Sequence, residues 1–263
     1  MNNYGFSLTP HTSFVKGLCD IYSNDFSIID ESDSSLGQTD VHIFCSIHLN
    51  LIVDLNELRT KLKGLLMIIN GTIAVTQGFE RHKNIGFVTI DGCDGVSYSE
   101  MEKIHSMDVT QVNPFNISNL QEMHKKADVI SKLINLSSKN ENLRIILGMC
   151  AIGSDWVNLY RILETVAQCI QDDYNQGKIQ IHGNIKKKLK KIELMTKVLN
   201  IDSAQVKLFT RTVNSFEMLG YLSRHGKGSV SNDNANPMSR LDASNLVNQA
   251  CRHYCGNLLS RTY

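Results

Sequence analysis

Proline is scarce, with 3 residues in 263, and 17 glycines add too little to make collagen-like repeats or a Pro-rich linker. Charge imbalance is missing as well: 27 Lys+Arg against 26 Asp+Glu leave a formal net charge of +1. That removes the simplest electrostatic case for a nucleic-acid or membrane-surface binder coated in positive charge. Long apolar runs are absent too. The strongest patch, Leu65-Leu66-Met67-Ile68-Ile69, falls far short of the ~20 residues that a bilayer crossing needs. No Cys-x-x-Cys pair occurs among the 7 cysteines, and an odd count in so long a chain does not describe a disulfide scaffold. Apolar neighbours, as in Ile43-Phe44-Cys45, suit small buried hydrophobes in a reducing compartment. Met1-Asn2-Asn3-Tyr4-Gly5 has no basic stretch followed by an apolar run, so no signal peptide is expected. The expectation is a soluble, cytoplasmic protein with no membrane partner.

What is present is ordinary globular material. Hydrophobic residues make up 42% and charged residues 20%, so the chain can bury a core, and its length suits one large domain or two modest ones. Val41, Ile43, Cys45, Ile47 and Leu49 alternate with His42, Phe44, Ser46 and His48, which predicts a strand with one face more apolar. Asp54 and Glu57 start a helix in capping-box fashion. Leu55, Leu58, Leu62, Leu65, Leu66 and Ile69 line one of its faces until Asn70-Gly71 stops it. Further strands are expected over 26–29 and 85–90. Asn113-Pro114-Phe115-Asn116 is the expected boundary, because Pro cannot extend a helix and Asn favours turns.

Beyond that point the period is helical. Helices are expected over 117–136 and 141–150, and another is capped by Ser154 or Asp155 with Trp156, Leu159, Tyr160, Leu163, Ala167 and Ile170 inward. Ile185, Leu189, Ile192 and Leu199 mark the next. Ser203 caps one running through Val206, Phe209, Val213 and Phe216, and Pro237-Met238-Ser239 opens the last. The expected fold is α+β: residues 1–115 a small sheet-plus-helix domain, and residues 116–263 an all-α bundle.

Chemistry-bearing residues concentrate late. Ser223-Arg224-His225-Gly226-Lys227-Gly228 sets an Arg beside a His at a helix end, before the polar loop 226–236. There a guanidinium can grip two phosphate oxygens while the imidazole moves a proton, and glycines admit a phosphodiester close to the backbone. Arg224 and His225 are therefore the candidate catalytic residues, with Arg211, Asn214 and Lys227 as phosphate ligands. The same residues also read as an ordinary helix C-terminus, its cations complementing the dipole and Gly226 serving as the cap. The one basic concentration is Lys186-Lys187-Lys188-Leu189-Lys190-Lys191, flanked by Lys178 and Lys197. Such a helix face can follow a phosphate backbone, which makes Lys187, Lys190 and Lys191 RNA-binding candidates, or it can simply be solvated. No aromatic residue interleaves it, so base stacking is not supplied there.

No metal or cofactor is expected. Cys251 and Cys255 share a helical face, but two ligands do not make a zinc site. Asp91-Gly92-Cys93-Asp94-Gly95 lacks the ligand series and closing Glu of a calcium loop. Neither a Walker loop nor a dinucleotide fingerprint nor a nucleophile elbow occurs.

Four segments in order carry a resemblance: Trp156-Val157-Asn158-Leu159-Tyr160-Arg161-Ile162-Leu163-Glu164, Phe209-Thr210-Arg211-Thr212-Val213-Asn214, Ser223-Arg224-His225-Gly226 and Asn236-Pro237-Met238-Ser239. Together they look like a group of uncharacterised bacterial proteins. More loosely, the C-terminal half resembles HEPN domains, helical bundles with a Leu-Tyr…Glu helix and a later helix ending in Arg…His-Gly. That resemblance implies RNA binding or metal-independent RNA cleavage by a dimer, in a toxin–antitoxin or phage-defence setting. Arg224 and His225 would take the catalytic roles. The HEPN signature spaces its Arg and His by roughly four to six residues on one helix, whereas Arg224 and His225 are adjacent. The alternative expectation is a non-catalytic module that forms a homodimer or docks a partner protein.

Overall fold

The computed structural model describes residues 4–9, 15, 17–21, 23–31, 42–80, 85–91, 97–102, 113–116, 127–180, 189–227 and 236–263, without the side chains of 9, 87–91 and 97–102. Its architecture is α+β. The chain forms two compact units: Met1–Ile73 with Lys83–Ala151, and Ala74–His82 with Ile152–Tyr263.

In the first unit, strands β1 (Gly5–Thr9), β2 (Phe26–Asp30) and β3 (His42–Ser46) precede helix α1 (Leu55–Gln77). Strands β4 (Gly86–Asp91) and β5 (Ser97–Glu102) follow, and then helices α2 (Val129–Lys139) and α3 (Glu141–Ile152). The five strands make one antiparallel sheet in the order β2-β3-β1-β4-β5. Phe44 of β3 stands opposite both Phe6 and Ile28, and its ring lies 6.3 Å from Phe6 and 5.8 Å from Phe26. This aromatic cluster holds the three strands together.

The inward face of β3 is the less apolar of its two. His42, Phe44, Ser46 and the following His48 are buried, while Ile43, Cys45 and Ile47 are half-exposed. Phe44 packs with the ring cluster, and Ser46 and His48 are compensated by a buried acid. The Ser46 hydroxyl donates to the Asp25 carbonyl at 2.7 Å, and His48 Nε2 lies 3.0 Å from Asp25 Oδ1. Asn135 Nδ2 donates to Asp25 Oδ2 at 3.2 Å. The backbone N–H of Asn116 donates to His48 Nδ1 at 3.1 Å, so Nδ1 is an acceptor and Nε2 carries the proton toward Asp25. Buried polar groups are tolerated when paired in this way.

The same contacts explain why the boundary expected at Asn113–Asn116 lies inside the first unit. Asn116 is bonded to His48, and the Phe115 ring stands edge-on to the His48 ring at 5.1 Å. Helices α2 and α3, expected to belong with the C-terminal bundle, are in the first unit too. The part of the expected helix over 117–126 lies outside the described residues.

Helix α1 does not stop at Asn70-Gly71. Both residues are consumed by packing instead. Asn70 Nδ2 donates to the Ile85 carbonyl and Asn70 Oδ1 accepts from the Ile85 N–H, each at 2.8 Å, so the amide pairs with the backbone leading into β4. At Gly71, an added Cβ would lie 1.8 Å from the Leu147 carbonyl oxygen, so this glycine lets α1 and α3 touch backbone to backbone. The helix ends two turns later at Gly78, with φ +104 and its N–H bonded to the Ala74 carbonyl at 2.9 Å.

The second unit is helical apart from its connections. It holds α4 (Trp156–Asn175), α5 (Lys191–Val198), α6 (Ser203–Asn214), α7 (Phe216–Leu219), a 3-10 turn over Gly220–Leu222, and α8 (Arg240–Thr262). The Asp155 carboxylate caps α4 by accepting from the Asn158 N–H at 3.0 Å. Leu159, Ile162, Leu163, Val166, Ala167 and Ile170 are buried along it, and α5, α6 and α8 all pack against it, so α4 is the central helix its wide apolar stripe predicts. Helix α6 is capped by Asp202, one residue before the expected Ser203. Ser239 caps α8 as expected, accepting from the Asp242 N–H at 3.1 Å. The end of α1, from Ala74 on, belongs to this second unit, where Asn248 Nδ2 donates to the Ala74 carbonyl at 3.0 Å and Arg252 Nε to the Val75 carbonyl at 2.7 Å. Among the described residues, no helix is long and apolar enough to cross a membrane.

Candidate functional site

Helix α6 builds one wall of a cleft. Val206, Phe209 and Val213 are buried. Lys207, Thr210, Arg211 and Asn214 recur at i, i+3, i+4 and i+7, so a polar stripe runs beside the apolar one. The opposing wall is the start of α5. There the Lys190 N–H donates to Glu193 Oε2 at 3.3 Å, and Lys191 Nζ lies 3.5 Å from Glu164 Oε1. Just past the end of α5, Asn200 takes a φ of 52 that suits the left-handed turn, with the Ile201 N–H bonded to the Thr196 carbonyl at 2.9 Å. That turn reverses the chain into α6. Between these walls lies a cleft of about 780 Å³ lined by Lys190, Lys191, Lys207, Arg211, Asn214 and His225, together with Ile192, Glu193, Val206, Thr210 and Ser215.

The electrostatics of this lining are one-sided. Four Lys/Arg residues share the lining with one carboxylate, Glu193, which accepts from the Lys190 N–H, while Lys191 also pairs with Glu164 outside the lining. Ser215 is 2% exposed, and neither its Oγ nor Asn214 Oδ1 has a hydrogen-bond partner among the described residues. Buried polar atoms without partners are uncommon, and here two adjacent residues of the cleft carry them. The volume lies within the ~300–1,000 Å³ of small-ligand pockets.

The candidates divide as follows. Lys190, Lys191, Arg211, Asn214 and His225, separated by as many as 35 positions in the chain, line the one cleft. Arg224 does not line it. Its guanidinium sits over the Tyr160 ring, 4.2 Å from the centroid, at the end of an aromatic stack in which Phe209 lies 6.5 Å from both Tyr160 and Trp156. Lys227 is exposed and is not part of the lining. Lys187 lies outside the described residues.

Arg224 and His225 do not end a helix, nor does Gly226 cap one. The chain leaves α6 at Ser215, makes the short α7, and turns at Gly220, whose φ of 55 and ψ of −130 favour glycine. The Ser223 hydroxyl lies within hydrogen-bond distance of the Gly220 and His225 carbonyls, and the Arg224 N–H donates to the Val213 carbonyl at 2.8 Å. This bracing holds the Ser223–His225 bend against α6. Neighbouring side chains leave the bend in different directions, Arg224 onto Tyr160 and His225 into the cleft lining.

Lys207, Thr210 and Ser215 are cleft residues that sequence reasoning passed over. The signal for Lys207 and Thr210 was available as the i, i+3, i+4, i+7 spacing with Arg211 and Asn214. Among the described residues, no group of three or more His, Cys, Asp or Glu could hold a metal ion. Cys251 and Cys255 are buried in α8, and His253 Nδ1 lies 2.6 Å from the Leu199 carbonyl. Fold and site together define an α+β protein with a cationic cleft in its helical unit. The chain matches no family model, no curated protein and no solved structure.

Proposed function

We propose that the helical unit binds RNA, with its phosphates held in the cleft between α5 and α6. The observation that carries this reading is the convergence of Lys190, Lys191, Lys207, Arg211 and His225 on one cleft that holds a single, already engaged carboxylate. Lysines supply mobile point charges for a phosphate backbone, and Arg211 supplies a planar fork of donors. The resemblance of the C-terminal half to HEPN domains points the same way, and it adds a toxin–antitoxin or defence setting.

A second reading, cleavage of the bound RNA without a metal, is favoured by the presence of His225 in the same lining as Arg211. In it His225 accepts the proton of a ribose 2′-hydroxyl as that oxygen attacks phosphorus, and the 5′-oxygen leaves. Arg211, rather than Arg224, is the cation next to the charge that develops.

One experiment serves both readings. Labelled single-stranded RNA is titrated in EDTA with wild type, Lys207→Ala/Arg211→Ala and His225→Ala, and both retention and strand length are measured. The expected result is RNA binding by wild type, weakened about tenfold or more in the double variant by the loss of two charged contacts of about 1 kcal/mol or more each. Cleavage that His225→Ala abolishes establishes the second reading, and intact RNA throughout removes it. Equal, weak retention by all three proteins removes the RNA reading and leaves the dimerisation or partner-docking module.

A further inference from the structure

Tyr221 is 98% exposed, the most exposed of the large hydrophobic residues described, and Leu222 beside it is 63% exposed. Single exposed apolar residues are ordinary on a protein surface, but here an aromatic and an aliphatic side chain are exposed side by side. The position of Tyr221 is imposed by the backbone. Gly220 takes a φ of 55, its N–H bonds to the Phe216 carbonyl, and the Ser223 N–H returns to the Gly220 carbonyl at 3.1 Å. The Tyr221 ring meets Phe216 at right angles, with 6.0 Å between centroids, so one edge is supported while the ring stays open to solvent.

This ring lies close along the chain to two residues of the cationic cleft. Phe216, which supports it, follows Ser215 of the cleft lining. His225, also of the lining, is four residues away along the chain, a span of at most about 14 Å. Apart from the His225 imidazole the lining contains no aromatic ring, so it is better furnished for phosphates than for stacking a base.

We infer that Tyr221 is a base-stacking platform, and that the ligand of the cleft is a single-stranded nucleic acid whose unpaired base lies on this ring. The inference rests on the RNA reading above and narrows it. A duplex keeps its bases inside the stack and offers Tyr221 nothing, whereas a strand with splayed bases places phosphates in the cleft and a base on the ring. Stacking is tolerant of sequence because every base has a π-face.

The test uses the full chain and four probes: a short single-stranded RNA, the same sequence as a duplex, an abasic strand of equal length, and inorganic polyphosphate. Tyr221→Ala removes an exposed ring and leaves the core intact. It is expected to weaken binding of the single strand roughly 5- to 150-fold, the effect of losing one base stack. Binding of polyphosphate and of the abasic strand is expected to be unchanged, and Tyr221→Trp is expected to restore the single strand. If Tyr221→Ala binds the single strand as wild type does while Lys207→Ala/Arg211→Ala does not, stacking is overturned and the phosphate reading stands. If neither variant differs from wild type, the RNA reading fails with it. If Tyr221→Ala changes self-association but not RNA binding, the ring is a protein contact and the inference is overturned.

Discussion

Cys169, Tyr254 and Cys255 show what burial does to a titratable side chain in this fold. Burial is the main cause that raises the Cys169 thiol from 9.0 to about 12, and the carboxylates of Asp172 and Asp173 add to it. Tyr254 and Cys255 are also raised, first by burial, then by Cys169 for Tyr254 and by Cys251 for Cys255. The sign of the consequence follows. From about pH 9 the unfolded chain releases thiol protons that the folded chain keeps, so the folded state binds more protons and stability falls as pH rises from about 9 to about 12. Each such group contributes a slope of up to about 1.4 kcal/mol per pH unit. Urea unfolding under reducing conditions is expected to show a midpoint that is steady below about pH 9 and drops above it. Cys169→Ala should flatten that drop. An unchanged drop in the variant would show that Cys169 does not contribute to it.

At the scale of elements, α1 shows how tertiary packing overrides a local stop signal. Asn-Gly is a good helix terminator in isolation, yet Asn70 pairs with the Ile85 backbone and Gly71 lets Leu147 approach. Gly71→Ala should therefore destabilise the first unit even though alanine is the better helix former. The clash is with backbone, which cannot rotate away, and overpacking of this kind typically costs about 1–3 kcal/mol. Chemical unfolding of the variant measures it, and a gain in stability would overturn the packing argument. The same contrast explains what was legible beforehand. The apolar spacing of α4 and the cap of α8 were readable, because they depend on residues near one another in sequence. Convergence of Lys190 and Lys191 with Arg211, Asn214 and His225 was partly readable from residue type, but it required the turn at Asn200 to bring α5 against α6. The inward face of β3 was not readable. His48 looks like a surface residue until Asp25, Asn116 and Asn135 surround it, and these lie between 23 and 87 positions away. Arg224 beside His225 suggested a pair, and only the Gly220 turn sends the guanidinium to Tyr160 instead.

Across the whole chain, a net charge of +1 conceals segregation. Asp20 to Asp40 is acidic with no Lys or Arg, while seven lysines lie from Lys178 to Lys197, a stretch in which Glu193 is the only acid. A molecule with this balance has no general attraction for polyanions, so any RNA binding has to come from a local site. The salt dependence then has a definite size. Neutralising phosphates with Lys190, Lys191, Lys207 and Arg211 releases counterions for about four contacts, and at ~0.7 per contact for a single strand the log–log slope is about −3. Replacing Lys207 with Ala should lower its magnitude by about 0.7, because one contact is lost. Titrations of single-stranded RNA across a range of salt concentrations measure both values. A much steeper slope that Lys207→Ala leaves unchanged would mean that the phosphates are neutralised elsewhere, and would count against the cleft as the binding surface.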